Sequence, residues 1–391
     1  MSSVNSRKKL LLVGGPDVMV ARRGIANYFK NDFIVGIVGS TKQEPRLSEA
    51  ADDFFYLYYP LKREANITID LFALLKLIQI FIKERPSIVH AFDTKPTVLA
   101  RLAAKIARVP IIVGSINGRG SLYTEGEKTK LHQMRGIYEM LQKIACHTSD
   151  MTIFQHINDS QYFLERKIAP PEKTSIISGS GVDTDLFSRD NLSKKKLDDL
   201  KRQIASSQDV VIVTMISRIL RSKGILEFVQ AANIVKNKFP TTLFLLVGPD
   251  DFDSMERLND LEKKEVSQSV TWLGERKNIV DILAISDIFV LPSYYKEGIP
   301  RTLLEAASMS LPIITTDIPG CQEVVKQNLN GFLVKPRDPM ELAAAIIQLV
   351  QNPELRQRFG KESRHLIESN FSFQIIASKI REVYFDLMKK A

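Results

Sequence analysis

Short apolar runs alternate with segments of helical periodicity along the whole chain of 391 residues, and this alternation constrains the fold more than any other feature. Apolar runs of about four to eight residues bounded by turn residues predict buried strands, and strands that alternate with helices predict a parallel sheet covered by helices. In the first half we predict strands at 9–13, 33–38, 54–58, 88–92, 111–115, 151–154 and 174–177. The helices predicted between them include 70–84, 98–107 and 128–146.

The same pattern begins again after a polar, lysine-rich stretch at 191–208. Here we predict strands at 210–216, 243–247, 270–273, 288–291, 313–315 and 332–334. Helices are predicted at 225–236, 301–308, 340–350 and 354–390, the last with a break around 370–373. The sequence therefore predicts an α/β fold with two Rossmann-like doubly wound domains, a boundary within 183–205, and a ligand-binding crevice between the domains.

The positive charge of the chain is unevenly distributed. Lysine and arginine number 54 against 45 acidic residues, a net charge of +9. Residues 1–150 hold 22 basic and 14 acidic residues, whereas the remainder holds 32 and 31. The first half is therefore expected to face an anionic partner, or simply to remain soluble. Nucleic acid is disfavoured as that partner, because the charge is not accompanied by aromatic stacking residues or by a known reader motif.

Cysteine content and apolar segments bound the cellular setting. Cys146 and Cys321 lie far apart, which excludes a disulfide framework and gives no metal-ligand spacing. The apolar run near the start ends at a glycine pair and predicts a strand, not a signal peptide. The longest apolar stretch, 71–82, contains Lys76 and is too short to span a bilayer. We therefore expect a cytoplasmic protein without a membrane span.

The strongest motif runs from Lys296 to Ala306, after a strand predicted to be buried. Pro300 suits the first turn of a helix, which places Glu297 in the loop and Glu305 about one turn inside the helix. One carboxylate can then accept hydrogen bonds from adjacent sugar hydroxyls and the other from a ribose diol, while the helix amides face a phosphate. The alternative, two unrelated solvated glutamates, is disfavoured by the Gly-Ile-Pro sequence between them.

A second motif places Arg218 and Lys223 between a predicted strand and a predicted helix. Two cations at this spacing can converge on one diphosphate and neutralise the charge that grows on it as a glycosidic bond breaks. Basic residues in loops are usually just solvated. The combination of this pair with the glutamate motif favours the functional interpretation.

A glycine loop follows the first predicted strand. Gly14 and Gly15 would let the backbone approach a phosphate or a reacting sugar closely. The dinucleotide pattern G-x-G-x-x-G is absent, and the later Gly179 and Gly181 also lack the third glycine. A nicotinamide-binding fingerprint is therefore not supported.

Together these motifs resemble the family 4 retaining glycosyltransferases of the GT-B architecture, in which two Rossmann-like domains face each other across a cleft. The resemblance covers nearly the whole chain. It implies an acceptor-binding domain at 1–190, a domain that binds a nucleotide-sugar donor at 205–370, and a last helix, 371–391, that crosses back to the first domain. The interdomain segment of the family resembles the sequence from Ser180 to Asp183.

The resemblance also implies roles for individual residues. Glu297 would hold hydroxyls of the donor sugar and Glu305 the ribose, while Arg218 and Lys223 would bind the diphosphate. The other residues implied at the donor site are Gly14, Gly15, Gly248, Gly274, Gly298, Ile299, Pro300 and Leu303.

The segments 92–96 and 111–118 resemble the subgroup that builds bacterial surface polysaccharides. Many members carry a histidine that contacts the donor sugar where Asn117 stands here. Asparagine can hydrogen-bond but cannot carry a proton, so the resemblance does not extend to a direct acid–base role at this position. In this family the leaving phosphate is thought to take the acceptor's proton on the front face of the sugar. His90 and Asp93 are candidates to orient the acceptor, although a buried structural role is equally supported for His90.

The resemblance implies a UDP-linked donor, an acceptor saccharide on a lipid diphosphate, and transfer of a hexosyl or N-acetylhexosaminyl group. The helix predicted at 128–146 is basic and amphipathic, so it suits an anionic membrane surface. Packing of this helix on its own sheet is the favoured alternative for the helix taken alone. For the first half as a whole, we expect attraction to a membrane surface or a lipid diphosphate, and peripheral association with the inner face of the membrane.

No metal or cofactor is expected. The two D-x-D matches, Asp183 with Asp185 and Asp251 with Asp253, belong to a pattern that is frequent by chance. Arg218 and Lys223 already supply the positive charge that a divalent cation would bring. Two other functions stay open: a nucleotide-sugar 2-epimerase of the same architecture, and a non-catalytic subunit that binds nucleotide sugars.

Overall fold

The computed structural model describes residues 7–42, 54–62, 66–118, 129–205, 209–251, 254, 256–294 and 298–390, with the side chains of Val20 and of residues 129–133 left out. Contacts divide the chain into two compact units. The first unit comprises residues 1–181 and 373–391, and the second comprises residues 182–372.

The first unit is built on a parallel seven-stranded sheet with the order β3-β2-β1-β4-β5-β6-β7. Its strands are β1 (Lys9–Val13), β2 (Ile34–Gly39), β3 (Phe54–Tyr58), β4 (Ile88–Ala91), β5 (Ile111–Ile116), β6 (Met151–Phe154) and β7 (Thr174–Ile176). The order reverses between β1 and β4. Loops that follow these two strands therefore diverge on the two sides of a switch point, where α/β sheets bind ligands.

Helices cover both faces of this sheet. They are α1 (Val18–Phe29), α2 (Ile67–Glu84), α3 (Pro96–Ile106), α4 (Thr129–Thr148), α5 (Ile157–Glu165) and, from the end of the chain, α14 (Phe373–Lys390). α1 and α14 share one hydrophobic cluster with the sheet. α2 and α3 share another, and α4 packs beside α3.

Local sequence fixes the ends of the long helix α2. Its first turn is capped by Asn66, whose side chain accepts a hydrogen bond from the amide of Ile69. Arg85 ends it in the left-handed region, with φ of 48°. The side chains that it buries against the sheet are those of Ala73, Leu77, Ile80 and Phe81.

The second unit contains a parallel six-stranded sheet with the order β10-β9-β8-β11-β12-β13. Its strands are β8 (Ile212–Ile216), β9 (Leu243–Val247), β10 (Thr271–Trp272), β11 (Ile288–Leu291), β12 (Ile313–Thr316) and β13 (Gly331–Val334). Its helices are α6 (Lys194–Ile204), α7 (Ile225–Lys238), α8 (Asp260–Ser269), α9 (Ile279–Ile285), α10 (Arg301–Ser308), α11 (Pro319–Val324), α12 (Pro339–Gln351) and α13 (Pro353–Asn370).

The chain passes between the units twice, at 181/182 and at 372/373. In the second unit the amide of Val182 donates to the carbonyl of Phe371 at 2.9 Å. In the first unit the Phe373 ring packs against Gly24 so closely that a Cβ there would lie 2.1 Å from it. Both passages are therefore held by tight local packing within each unit.

The predicted α/β class with two parallel sheets is confirmed, and all thirteen predicted strands are present in the described residues. The first unit ends at Gly181, just before the predicted boundary of 183–205, because the segment after it packs with the second unit. α6 contacts α9, and the Arg189 guanidinium donates to the carbonyl of Ser286 at 2.8 Å. No helix in the described ranges is both long enough and apolar enough to cross a membrane.

Candidate active site

The carboxyl ends of β8, β9 and β10 meet in close backbone contact. The amide of Ser217 donates to the carbonyl of Val247 at 3.0 Å, and the amide of Gly248 donates to the carbonyl of Gly274 at 2.9 Å. A Cβ on Gly248 would lie 1.8 Å from the carbonyl oxygen of Ser217, and both glycines have positive φ. Only glycine fits at Gly248, which therefore brings the loops of adjacent strands together.

Arg218 lies at this edge and is paired with a carboxylate. Its Nη1 lies 2.7 Å from Oδ2 of Asp251, in the loop after β9, and its side chain is 41% exposed. Asp251 belongs to one of the D-x-D matches. A diphosphate that binds here would compete with Asp251 for the guanidinium.

Lys223 ends a single 3-10 turn, Arg221–Lys223, that leads into α7. This turn is fixed to the loop after β11, because the carbonyl of Ser222 accepts from the amide of Tyr294 at 2.9 Å and from the hydroxyl of Ser293 at 3.2 Å. Gly224 follows with φ of 79°, and a Cβ there would lie 2.1 Å from the carbonyl oxygen of Pro292. The turn that carries the half-buried Lys223 is thus packed against the loop that leads to the glutamate motif.

Arg221, two residues earlier, has a different environment. Its guanidinium donates to both carboxylate oxygens of Glu262, at 2.8 and 2.6 Å. This hydrogen bonding raises the pKa of Arg221 and lowers that of Glu262. Arg221 therefore stabilises the turn on α8, and Lys223 is the second cation of this turn.

The glutamate motif is described from Gly298 onward, so Glu297 and Lys296 lie outside the described residues. Pro300 immediately precedes α10, with ψ of 123°, so the prediction that it lies in the first turn is off by one residue. Ile299 and Leu303 are buried in the core of the second unit. Their side chains pack the motif in place, which leaves backbone atoms for contact with a ligand.

Glu305 lies one turn inside α10, and its side chain is only 12% exposed. Nη2 of Arg301 donates to its Oε1 at 3.1 Å. Burial raises the pKa of Glu305, and the nearby Arg301 opposes that shift. Arg301 was not singled out from the sequence, although its i, i+4 spacing from Glu305 is the signal that predicts such a pair.

In the first unit, side chains and a backbone amide that follow four neighbouring strands form a hydrogen-bonded chain, which we call the polar relay. The amide of Gly15 donates to Oδ2 of Asp93 at 3.0 Å, and Nδ2 of Asn117 donates to Oδ1 of Asp93 at 2.9 Å. Nε2 of Gln155 donates to Oδ1 of Asn117 at 3.0 Å. The relay therefore unites Gly15, Asp93 and Asn117, which the sequence proposed separately, with Gln155, which it did not.

The strand order explains why these groups meet. They follow β1, β4, β5 and β6, which lie side by side in the sheet. Asp93 adopts φ of 67°, a left-handed conformation that Asp tolerates better than most residues. A narrow pocket beside the relay is lined by Arg22, Phe92, Ser115, Asn117, Gln155 and Ser180 among others. The buried Arg22 guanidinium stacks 4.0 Å from the Phe92 ring centre, so it adds a positive charge to this pocket.

His90 faces the packed interior of the first unit. Its ring is fully buried, with Nδ1 at 2.6 Å from the Tyr384 hydroxyl and Nε2 at 2.7 Å from the Ser115 hydroxyl. Burial lowers its pKa well below 6.5, and the charges of Arg22 and Arg101 lower it further. The geometry supports the structural alternative for His90, which ties α14 to β4.

Neither D-x-D match forms a metal site in the part of the chain that the structure describes. The Asp183 carboxylate accepts from the amides of Asp185 and Leu186, and Asp251 is paired with Arg218. Asp253 lies outside the described residues. Across the described ranges, no three histidine, cysteine or acidic side chains come close enough to hold an ion.

Two family models match the chain. The model for group 1 glycosyl transferases matches residues 197–366, and the model described as glycosyl transferase 4-like matches residues 9–156. The protein is therefore a glycosyltransferase. Residues 9–156 belong to the glycosyl transferase 4-like family, and residues 197–366 belong to the group 1 glycosyl transferases. The predicted family and enzyme class are confirmed.

Among its relatives is the Escherichia coli UDP-Gal:α-D-GlcNAc-diphosphoundecaprenol α-1,3-galactosyltransferase, 29% identical over 89% of this chain and 88% of that protein. Another is the Campylobacter jejuni N,N'-diacetylbacillosaminyl-diphospho-undecaprenol α-1,3-N-acetylgalactosaminyltransferase, 29% identical over 74% of each. A third, the Staphylococcus aureus capsular polysaccharide biosynthesis glycosyltransferase CapM, is 26% identical over 85% of each.

Solved structures show the same fold. A glycosyltransferase from Rickettsia africae has a TM-score of 0.78, with 22% identity over 98% of this chain and all of that one. Anabaena HepE in complex with UDP has a TM-score of 0.76, with 18% identity over 97% of this chain and all of that one. The GT-B fold predicted from the sequence is confirmed.

Proposed function

We propose that this protein transfers a hexosyl or N-acetylhexosaminyl group from a UDP-linked donor to a saccharide on undecaprenyl diphosphate, with retention of configuration. The reaction would serve cell-surface polysaccharide assembly. One observation carries the proposal: Arg218 and Lys223 lie on loops at the carboxyl edge of the second sheet, and the loops after β9 and β11 pack against them.

The two cations suit a nucleotide diphosphate. As the bond from the sugar to the diphosphate breaks, negative charge grows on the leaving group, and cations held in place stabilise it without reorganisation. Arg218 would exchange Asp251 for phosphate oxygens. The choice of UDP is supported by the E. coli relative, named for UDP-Gal, and by the complex of Anabaena HepE with UDP.

The glutamate motif would select the rest of the donor. We assign Glu297 to hydroxyls of the transferred sugar and Glu305 to the ribose diol. Arg301, in the first turn of α10, donates to the Glu305 carboxylate. This hydrogen bond fixes the carboxylate oxygens that would accept from the ribose hydroxyls before the nucleotide binds. Gly248 and Gly274 would border the nucleotide through backbone atoms.

The polar relay would orient groups at the reacting carbon. The amide of Gly15 and the side chain of Asn117 both donate to Asp93, so this carboxylate is fixed as an acceptor for sugar hydroxyls. Because asparagine cannot carry a proton, we assign the acceptor's proton to the leaving phosphate. A UDP-hexose is α-linked, and the E. coli relative is named as an α-1,3 transferase, which supports retention.

The names of the relatives support the proposed acceptor and place of action. The E. coli and C. jejuni enzymes are named for acceptors on diphosphoundecaprenol or diphospho-undecaprenol, a membrane lipid. The excess of basic residues in the first 150 suits such an anionic acceptor. We propose that the protein works in the cytoplasm as a peripheral protein of the inner membrane face.

The test is a screen of nucleotide sugars against lipid-linked oligosaccharides, read by mass spectrometry. We expect one UDP-sugar to add one sugar to the acceptor, and calorimetric titration to show UDP binding more tightly than GDP. An acceptor-free assay separates the rival functions. Conversion of the donor to an epimer would identify an epimerase, and binding without turnover under any condition would identify a non-catalytic subunit.

The glutamate assignment has its own test. Glu297→Ala is expected to abolish transfer, because it removes the carboxylate that we assign to hydroxyls of the donor sugar, while the melting temperature stays at the parental value. Transfer by Glu297→Ala at the parental rate would refute the assignment.

A further inference from the structure

Large apolar side chains are exposed on three adjacent helices of the first unit. α2, α3 and α4 lie side by side, and we call their solvent-facing sides the outer helical layer. The exposed residues are Ile67, Leu71, Phe72, Leu75 and Ile82 on α2, Ile106 on α3, and Ile137, Met140 and Ile144 on α4. Exposure of single apolar residues is ordinary, but a group of this size on one layer indicates a binding surface.

The spacing of these residues gives each longer helix an outward apolar stripe. Leu71, Leu75 and Ile82 share one side of α2, and Ile137, Met140 and Ile144 share one side of α4. The opposite side of α2 is buried against the sheet. A helix that is apolar on both sides needs two apolar neighbours, and the sheet supplies only one of them.

The second unit shows that this exposure is not general. Its exposed large apolar residues within the described ranges are Leu186, Leu261, Leu329 and Met340. They belong to α8, to α12 and to two separate loops, so they form no stripe. The outer helical layer is therefore a local property of the first unit.

The charged residues of α2, α3 and α4 indicate which kind of partner suits the layer. Lys76, Lys83, Lys105 and Lys143 are exposed on the same three helices. The acidic residues of these helices are all partnered: Asp70 with Lys95 at 2.6 Å, Glu84 with Lys9 at 2.7 Å, and Glu139 with the Tyr162 hydroxyl at 2.7 Å. The layer therefore combines apolar stripes with an excess of positive charge.

We infer that the outer helical layer binds an anionic lipid bilayer, with its apolar side chains at the boundary of headgroups and acyl chains and its lysines on lipid phosphates. This combination is typical of helices that lie in a membrane interface. A second copy of the chain fits less well, because a self-complementary contact would bring these lysines near one another. The inference rests on the proposed membrane site of action and names the surface that reaches it.

The experiment is sedimentation of the purified full chain with lipid vesicles, without nucleotide sugar or acceptor. Vesicles of phosphatidylcholine alone are compared with vesicles of equal parts phosphatidylcholine and phosphatidylglycerol. The parental protein is expected to bind the anionic vesicles, and added salt is expected to weaken that binding. No binding to either vesicle would overturn the inference.

The variant that tests the surface combines Phe72→Gln, Leu75→Gln, Ile137→Gln and Met140→Gln. These side chains are exposed, so the melting temperature should hold while the vesicle partition coefficient falls about tenfold or more. The matched control combines Leu261→Gln and Met340→Gln, which are at least as exposed but lie in the second unit. Its partition should equal the parental value; an equal fall in both variants would contradict the inference.

A charge variant separates lipid from protein as the occupant. Lys76→Gln with Lys83→Gln should weaken binding to the anionic vesicles and leave weak binding to phosphatidylcholine unchanged. Sedimentation velocity without lipid should show a monomer. If the parental protein instead forms a dimer and the four-residue apolar variant is a monomer, the layer binds a second copy of the chain and the inference is overturned.

The result is independent of the sugar-transfer reaction. Transfer to a short, water-soluble analogue of the acceptor should survive in the apolar variant, because the layer carries no residue of the candidate site. Parental protein that binds vesicles but transfers no sugar would refute the proposed function and leave the surface assignment standing. Parental protein that transfers sugar but does not bind vesicles would refute the surface assignment and leave the proposed function standing.

Discussion

The two units share a parallel α/β architecture, but Arg218 and Arg301 of the second unit are held differently from Arg101 and Asp93 of the first. In the second unit, arginines near the site are paired with carboxylates, as in Arg218 with Asp251 and Arg301 with Glu305. In the first unit, the fully buried Arg101 has neutral partners: the carbonyl of Thr97, the Thr152 hydroxyl, the Gln142 amide oxygen and the Cys146 sulfur. Asp93 likewise accepts from the amide of Gly15 and the side chain of Asn117.

This difference teaches what each arrangement can do. An ion pair at a partly exposed site can open and re-form around a charged ligand at small cost, because water screens the separated partners. A buried charge surrounded by neutral dipoles has no such freedom, since any movement leaves a desolvated group without a hydrogen bond. Arg218 is thus suited to exchange its partner for a charged ligand, whereas Arg101 is suited to hold a fixed geometry.

The largest expected effect is on the charged edge of the second unit. Lys223→Ala should lower kcat by about 10²–10³-fold, because in the proposed reaction this cation stabilises the charge on the leaving diphosphate. Steady-state kinetics with the donor measures this effect. Lys264→Ala, which removes an exposed cation from α8, is the control and should keep the parental kcat. Equal kcat values in the two variants would show that Lys223 is not part of the site.

The contrast in charge pairing is tested next by stability. Arg101→Met should destabilise the first unit by about 3 kcal/mol, because buried polar partners lose their donor. Arg221→Met should cost under about 1 kcal/mol, since its ion pair with Glu262 is partly exposed. Urea titrations followed by far-UV circular dichroism report both units, whereas fluorescence of the one tryptophan, Trp272, reports the second. Similar losses of unfolding free energy in the two variants would contradict the difference between a buried arginine with neutral partners and a partly exposed ion pair.

The polar relay should give a smaller kinetic effect. Gln155→Ala should lower kcat about tenfold and leave the KM for the donor unchanged, because Asn117 loses a hydrogen bond that orients it. Asp93→Asn should also lower kcat, since one acceptor oxygen of the relay becomes a donor. The control is Gln351→Ala, an exposed glutamine at the end of α12. A change confined to the KM of the donor would reassign Gln155 to binding.

The smallest effect concerns acidification, where the units should respond with opposite signs. The pKa of His90 is depressed in the folded state, so its contribution to stability is complete above pH 6.5 and is lost as the pH falls below that value. The pKa of Glu305 is raised, so its burial costs stability as the pH rises above the ordinary value of 4.5.

From neutral pH to about 5.5, the first unit should therefore lose about 1 kcal/mol of unfolding free energy, and the second should gain or hold. The same two spectroscopic probes measure this difference. His90→Gln should reduce the pH dependence of the unfolding free energy of the first unit. A dependence that survives this substitution would assign the effect to another group.

The fold was predictable from the sequence because strand and helix periodicities depend on local patterns. β9 and β11, for example, match their predicted ranges residue for residue. Contacts that depend on strand order were not predictable in this way. Gln155 follows β6 without any motif, and it reaches Asn117 only because β5 and β6 are neighbours. The pairing of Arg218 with Asp251 likewise requires β8 and β9 to be adjacent.

The outward side of α2 illustrates another limit. The apolar stretch 71–82 was visible in the sequence, but periodicity cannot say which apolar side chains meet the sheet and which meet solvent. That distinction depends on α3, which packs beside α2 and leaves Leu71 and Phe72 exposed. His90 shows the same dependence, because its ring is buried by Tyr384 from a helix almost 300 residues later.

Because α14 completes the first unit, the part of the chain that the ribosome makes first finishes folding last. Ile376, Ile380 and Tyr384 of α14 enter the same cluster as α1 and the sheet, so that face stays uncovered until residues 373–390 have been synthesised. The second unit is continuous in sequence and can fold earlier, while the chain is still growing. During that interval Phe29 and Phe33 lack the ring contacts with Tyr384 that the complete chain gives them.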